Sequence, residues 1–253
     1  MDDFREIKRV AGIYDKRASN YNSLNAAGQW LSDNLAKEII KEIIQKIELK
    51  HTDKVLEIGC GSGVLGSKIA EKCQYFVGFD ASRVMLDRFR DENKNVNLIQ
   101  ASATHIPLKE DVFDKIIMNG VTMYFPNTNF TTSVMNESKR VVKRNFLIFL
   151  GENIIPSKFH WELVWFENLS ASLQLFAKQY IKFRLFIAEK KPRWAGKWRH
   201  IHKAISPKII ESIFHNSNIK ITDAASYTIR KRKFGDDAKG NRRVDFIIKS
   251  KND

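Results

Sequence analysis

Apolar side chains first recur at three- and four-residue steps: Trp30, Leu31, Leu35, Ile39, Ile43 and Ile47, separated by polar positions such as Asp33, Lys37 and Glu42. That period lays one apolar stripe along a helix, and the stretch to about residue 50 reads as helical. From Lys54 the period shortens. Residues 55–58 form a short strand, Gly59-Cys60-Gly61-Ser62-Gly63 breaks it, and 64–72 reads as helix. A second strand at 75–79 ends on Asp80. Ser82 then caps a helix to about Glu92 with Val84, Leu86 and Phe89 facing inward. Further strands fall at 96–100, 113–118 and 146–150, and a helix around 133–142 precedes the last of them.

Strands alternating with short helices build βαβ units and a parallel sheet. After Gly151 the alternation lapses for some fifty residues, then Ser206-Pro207 starts a helix through Phe214. Ile219 opens a strand reaching about Ile229, and 244–248 is the last strand. Two closing strands with no helix between them predict an antiparallel hairpin at one sheet edge.

Composition narrows the class. Of 253 residues, 43% are hydrophobic and 11% aromatic, enough to fill a core and to exclude wholesale disorder. Lys and Arg number 43 against 29 Asp and Glu, a net charge of +14 that attracts nucleic acid, a membrane surface or a phosphorylated substrate. Cys60 and Cys73 make neither a disulfide framework nor a metal knuckle, and no His/Asp/Glu cluster has ligand spacing, so no metal is expected. The N-terminal residues alternate charge with apolar side chains, unlike a secretory signal. The most apolar run, 146–150, is far too short to cross a bilayer. A cytoplasmic location without a transmembrane segment is expected.

The glycine loop carries the chemistry. Glycines where a buried strand turns into a helix let a ligand approach the backbone, and N–H groups at the helix start can hold its polar groups. Asp80, at the end of the next strand, can accept hydrogen bonds from a ribose diol beside the loop. Gly61-Ser62-Gly63-Val64-Leu65-Gly66 also satisfies the dinucleotide pattern G-x-G-x-x-G. Three features argue against NAD: Glu57 two residues before the first glycine, the long helical stretch ahead of the loop, and the closing hairpin. Ligands of such sheets lie over the carboxyl ends of the strands, which brings Asn119-Gly120-Val121 to the reacting centre. Asn119 is a candidate contact for the cofactor's amino acid moiety, or a polar strand-end turn.

Taken together these motifs resemble the class I S-adenosylmethionine-dependent methyltransferases. Val55-Leu56-Glu57-Ile58-Gly59-Cys60-Gly61-Ser62-Gly63 is similar to their first motif, and Gly78-Phe79-Asp80-Ala81-Ser82 with Met85-Leu86 to the segment whose acid holds the ribose. Ala101-Ser102-Ala103-Thr104-His105-Ile106-Pro107-Leu108 resembles the adenine-side segment. There Ser102 replaces the family's frequent Asp, and the contact from the Ala103 backbone is kept. Tyr14-Asp15-Lys16-Arg17-Ala18-Ser19-Asn20-Tyr21 is similar to a segment folded over the cofactor. The resemblance implies a Rossmann-like α/β fold: a seven-stranded sheet with an antiparallel last strand, an N-terminal helical segment and an inserted helical cap. It implies S-adenosylmethionine as cofactor, held by Tyr21, Glu57, Gly59, Cys60, Gly61, Gly63, Asp80, Ala81, Met85, Ser102, Ala103 and Asn119.

The expected organisation is one methyltransferase domain over 1–253. In it 1–51 form a helical lid, 52–150 and 206–253 the sheet core, and 151–205 a substrate cap. The cap holds four of the five tryptophans, and Trp161 and Trp165 lie off its main apolar stripe, which makes them candidates for lining the substrate pocket. Residues 190–203 carry six Lys or Arg and no acid, so Arg193 and Arg199 are candidate phosphate ligands. The interleaved His200 and His202 are candidate bases. The expected activity is methylation of a small anionic metabolite, phosphorylated or nucleotide-linked, on oxygen in preference to nitrogen. An RNA-directed methyltransferase using the cap and the basic closing hairpin (Arg230-Lys231-Arg232-Lys233, Arg242-Arg243) is the alternative. A non-catalytic cofactor-binding module and an NAD-dependent oxidoreductase rank below both.

Overall fold

A computed structural model describes residues 2–20, 22, 33–94, 96–154, 207–226, 228–229 and 243–251. The chain opens with α1 (Asp2–Asn20) and α2 (Asp33–Lys46), followed by β1 (Lys54–Ile58), α3 (Gly66–Ala70), β2 (Tyr75–Asp80), α4 (Arg83–Glu92) and β3 (Asn97–Gln100). Then come β4 (Phe113–Asn119), a 3-10 turn (Thr122–Tyr124), α5 (Thr128–Val141), β5 (Val142–Ile154), α6 (Pro207–Ile213), β6 (Ser217–Asp223) and β7 (Arg243–Ser250). The seven strands form one sheet in the order β3-β2-β1-β4-β5-β7-β6. β1 to β5 pair in parallel, whereas β7 runs antiparallel to both β5 and β6.

Both faces of the sheet are covered, and the strand period of two decides which residue goes where. On one face Leu56, Ile58, Ile116, Met118, Ile148 and Leu150 pack with Phe130, Val134 and Met135 of α5 and Ile210 of α6. On the other, Val55, Ile117, Leu147 and Phe149 pack with Leu35, Ile39 and Ile43 of α2 and Leu86 and Phe89 of α4. The central strands are therefore almost continuously apolar, as a doubly covered parallel sheet requires.

Several local expectations are corrected. Val84 is exposed, and Met85 takes the inward position beside Leu86 and Phe89. The helix around 133–142 begins earlier, at Thr128, because the Asn127 side chain caps it by accepting from the Phe130 N–H at 2.9 Å. β6 ends at Asp223 instead of continuing to Ile229. Residues 225–226 and 228–229 are helical, with the Thr228 N–H bonded to the Ala224 carbonyl at 2.9 Å. A helical turn thus stands between the two closing strands. The sheet-edge strand is β6, and β7 lies inside. β5 is longer than 146–150 and runs through Ile154, so 151–154 extend the sheet. Its pairing with β7 shifts register between Leu150 and Asn153, where Glu152 takes a φ of +60°.

Chain order reverses at β1, whose neighbours are β2 on one side and β4 on the other. At such a switch point the loops leave the carboxyl ends of adjacent strands in opposite directions and open a crevice. The glycine loop, the end of β2 and the end of β4 all meet there.

Candidate active site

β1 delivers Glu57 and then turns through Gly59, Gly61 and Gly63, all with positive φ. Two of these glycines have opposite reasons to exist. At Gly61 (φ +53°) an added Cβ meets only the Met85 methyl carbon, at 3.7 Å. The backbone there borders the cavity, and a side chain would fill ligand space. At Gly63 (φ +81°) a Cβ would sit 2.2 Å from the Phe89 ring. Gly63 does not line the cavity; it lets the loop pack against α4.

The end of β2 is fixed to this loop. Asp80 accepts from the Gly61 N–H through Oδ2 (2.9 Å) and from the Ser82 N–H through Oδ1 (2.8 Å). Burial raises its carboxyl pKa from the ordinary value, and those N–H groups oppose the rise. Ser82 caps α4, its hydroxyl accepting from the Met85 N–H at 3.1 Å. The same hydroxyl donates to Asp15 Oδ1 at 2.5 Å, which ties α1 to the start of α4.

Ile7, Val10, Ala11 and Tyr14 of α1 line the same cavity as the glycine loop. Tyr14 donates to the Tyr124 hydroxyl at 2.6 Å, with the rings edge to face and the Arg17 guanidinium 5.2 Å from the Tyr14 centroid. Burial first, and Tyr124 second, push the Tyr14 phenol far above its ordinary value, so it stays protonated as a donor. The 3-10 turn carrying Tyr124 is itself held by Thr122, whose hydroxyl donates to Asn153 Oδ1 at 2.5 Å beside the β5 irregularity.

Of the residues expected to hold the cofactor, Glu57, Gly59, Cys60, Gly61, Asp80, Ala81, Met85, Ser102, Ala103 and Asn119 share this cavity wall. Tyr21, Trp161, Trp165, Arg193, Arg199, His200 and His202 lie outside the described residues. Glu57 Oε2 and Asn119 Oδ1 are buried without a hydrogen-bond partner among the described residues. Burial, with Asp80 second, raises the Glu57 pKa well above the usual range. Burial likewise pushes the Cys60 thiol up, which removes it as a nucleophile at neutral pH. No group of three metal-ligating side chains occurs among the described residues, and no described helix is long and apolar enough to cross a membrane.

Sequence reasoning expected an N-terminal helical segment over the cofactor but did not single out the residues of α1 that line the cavity. Ile7, Val10, Ala11 and Tyr14 carry only the ordinary helical period, and that period also fits a helix packed on core. Tyr124, Phe125 and Phe130 follow the β4 end and read as turn and helix residues. The one available signal for Tyr14 was its place at the head of the run ending in Tyr21.

A parallel sheet reversed at its last strand, with a glycine loop, a strand-end acid and α1 around the cavity at its switch point, is an arrangement that can hold a nucleoside cofactor. The residues present fit S-adenosylmethionine: open space at Gly61, an acid bound into the loop, and unpartnered acceptor oxygens beside the cavity for a cationic group. Residues 55–145 match the family model described as "Methyltransferase domain". A demethylmenaquinone methyltransferase of Corynebacterium urealyticum is 26% identical over 69% of this chain and 72% of its own length. A probable ribosomal RNA small subunit methyltransferase A of Methanococcus maripaludis is 30% identical over 43% of this chain and 45% of its own. The solved phosphoethanolamine N-methyltransferase 1 of Haemonchus contortus, in complex with phosphoethanolamine and S-adenosylhomocysteine, aligns with a TM-score of 0.68 at 14% identity. That alignment covers 98% of this chain and 50% of that one. In other curated relatives the matched segment is 3% and 32% of their own length. Residues 55–145 are thus similar to a methyltransferase domain, and the chain has the fold of the S-adenosylmethionine-dependent methyltransferases with which it aligns.

Proposed function

We propose that this protein methylates a small anionic acceptor, a phosphorylated or nucleotide-linked metabolite, with oxygen favoured over nitrogen as the receiving atom. The observation that carries the reading is the α1 wall of the cavity, which is held to the start of α4 by Asp15–Ser82 and to the turn after β4 by Tyr14–Tyr124. A cavity walled in this way accepts a small molecule more readily than a base within a folded polymer. The phosphate of the Haemonchus contortus enzyme's bound phosphoethanolamine supports an anionic acceptor on the same fold.

When bound, S-adenosylmethionine supplies a methyl group already activated on a positively charged sulfur. The chain's task is then to bind, orient and exclude water. Asp80 accepts from the ribose diol with the lone pairs its backbone partners leave free. Ala81, Met85, Ser102 and Ala103 border the base. Glu57 and Asn119 receive the amino acid end, and a cation there favours the ionised form of Glu57. Val121 and Tyr124, beyond the β4 end, shape the acceptor side, and the apolar residues of α1 keep it dry. An oxygen acceptor must lose a proton as its bond to the methyl carbon forms, and His200 or His202 is the proposed recipient. Arg193 and Arg199 are the proposed phosphate ligands, with Trp161 and Trp165 lining the pocket.

The test is incubation with S-adenosylmethionine and a panel of phosphorylated metabolites, read by mass spectrometry. A product heavier by one methyl in place of a hydrogen is expected, and no product from any small acceptor would overturn the reading. The second reading, methylation of RNA, is favoured by the +14 charge and by the ribosomal RNA relative. It calls for RNA binding that weakens steeply with salt, and no RNA retention at low salt removes it.

A further inference from the structure

The loop between β3 and β4 has no regular structure, yet Ala101, Ser102 and Ala103 within it wall the cavity. A segment of this kind holds its shape only if its backbone groups find fixed partners. Here the partners come from the last turns of α5. The Ile106 N–H donates to Glu137 Oε2 at 2.8 Å. Arg140 spreads its guanidinium over the same segment, donating from Nη2 to the Ile106 carbonyl at 2.8 Å and from Nη1 to the Leu108 carbonyl at 2.9 Å. Two further bonds of 2.8 Å, Nε to Oε1 and Nη2 to Oε2, lock the pair together.

The restraint reaches the cavity wall in one step. The His105 N–H donates to the Ser102 carbonyl at 3.0 Å, and the hydroxyls of Ser102 and Thr104 share a hydrogen bond of 2.9 Å. Ile106, which carries one of the two clamped carbonyls and directly follows that turn, is fully buried. Hydrogen bonding from Arg140 brings the Glu137 carboxyl down to about 2, so the pair stays charged across the neutral and mildly acidic range. Neither Glu137 nor Arg140 lines the cavity.

We propose that Glu137 and Arg140 are positioning residues that hold the 101–103 wall in register and thereby set the enzyme's selectivity for the base of its nucleoside cofactor. The proposal rests on the cofactor reading given above. Reading a base edge needs donors and acceptors placed to a fraction of an ångström, because a hydrogen bond weakens steeply with misalignment. Ser102, with a hydroxyl where a carboxylate would grip harder, makes the site depend all the more on where its backbone lies.

Titration calorimetry on the full chain with S-adenosylhomocysteine and with S-inosylhomocysteine, whose 6-oxo group replaces the 6-amino group, tests this. The wild type is expected to prefer the adenine compound. Glu137→Ala and Arg140→Ala should lower the preference ratio about tenfold, the loss of one or two well-placed hydrogen bonds. Glu137→Gln keeps an acceptor for the Ile106 N–H and should restore most of the ratio. Should Glu137→Ala not fold, Arg140→Lys, which keeps the charge and loses the fork over two carbonyls, serves in the same comparison. Variants with lower melting temperatures but a wild-type ratio would overturn the proposal. Failure of the wild type to bind S-adenosylhomocysteine is a separate result; it overturns the cofactor reading and the clamp with it.

Discussion

The two glycines 61 and 63 are separated only by Ser62 and answer to different forces. Gly63→Ala drives a Cβ into the Phe89 ring at a left-handed φ, and overpacking with backbone strain should cost about 3 kcal/mol of folding stability by urea denaturation. Gly61→Ala meets only the Met85 methyl carbon, so its stability loss should be about 1 kcal/mol, the backbone strain alone. Cofactor affinity should reverse that order, with Gly61→Ala the more damaging. Asp80→Ala removes the acceptor on which the ribose assignment depends. Its expected cost in S-adenosylmethionine binding is about 1.5–3 kcal/mol by calorimetry, the range for hydrogen bonds to charged groups. Unchanged affinity in a folded variant would refute the assignment. At this scale the loop glycines and Asp80 were legible in the sequence, because turn geometry and acceptor chemistry are properties of single residues. The Gly63–Phe89 contact was not, since it joins residues on different elements.

At the scale of elements, α1 joins the cavity wall to the start of α4 and to the turn after β4. Ser82 serves two helices, capping α4 through Met85 and holding α1 through Asp15. Ser82→Ala removes both bonds from a buried position. A stability loss of about 1.5 kcal/mol is expected, most of it the cap. If α1 is docked through this bond, cofactor release should also quicken in stopped-flow measurements, whereas a change confined to stability would detach α1 from function. The strands were readable because short apolar runs bounded by glycine, acidic and other polar residues show in five or six residues. The limits of α5 and β6 were not. A side-chain cap at Asn127 moved the first, and a helical turn after Asp223 ended the second.

Across the molecule, the buried polar network at the β5–β7 junction gives the fold a pH dependence. Asp245 accepts from Lys46 Nζ at 2.7 Å and from the Glu152 and Ala225 N–H groups at 3.0 and 3.2 Å. Burial nonetheless pushes its carboxyl up to about 6 from 3.8, with Lys46 opposing. The folded state therefore holds this proton more tightly than the unfolded state. Its stabilising contribution is complete below about pH 4, the unfolded value, and is lost as pH rises through about 6. Relative to Asp245→Asn, which cannot titrate, the wild type should lose about 3 kcal/mol between those limits in urea denaturation profiles. Parallel profiles for the two proteins would place the carboxyl's pKa at its ordinary value.

The sequence by itself determined the βαβ alternation, the glycine loop, the strand-end acid and the excess of positive charge. Each of these is written in neighbouring residues: a period, a turn, a spacing, a composition. Only the tertiary structure decided that β7 slips between β5 and β6, and that Tyr14 meets Tyr124 across 110 residues of chain. It also decided that Glu137 and Arg140 grip a loop some thirty residues earlier. Those contacts are stabilised by burial and hydrogen bonding between distant segments, which leave no local period to read. The cavity is framed by residues of the first kind and closed by residues of the second.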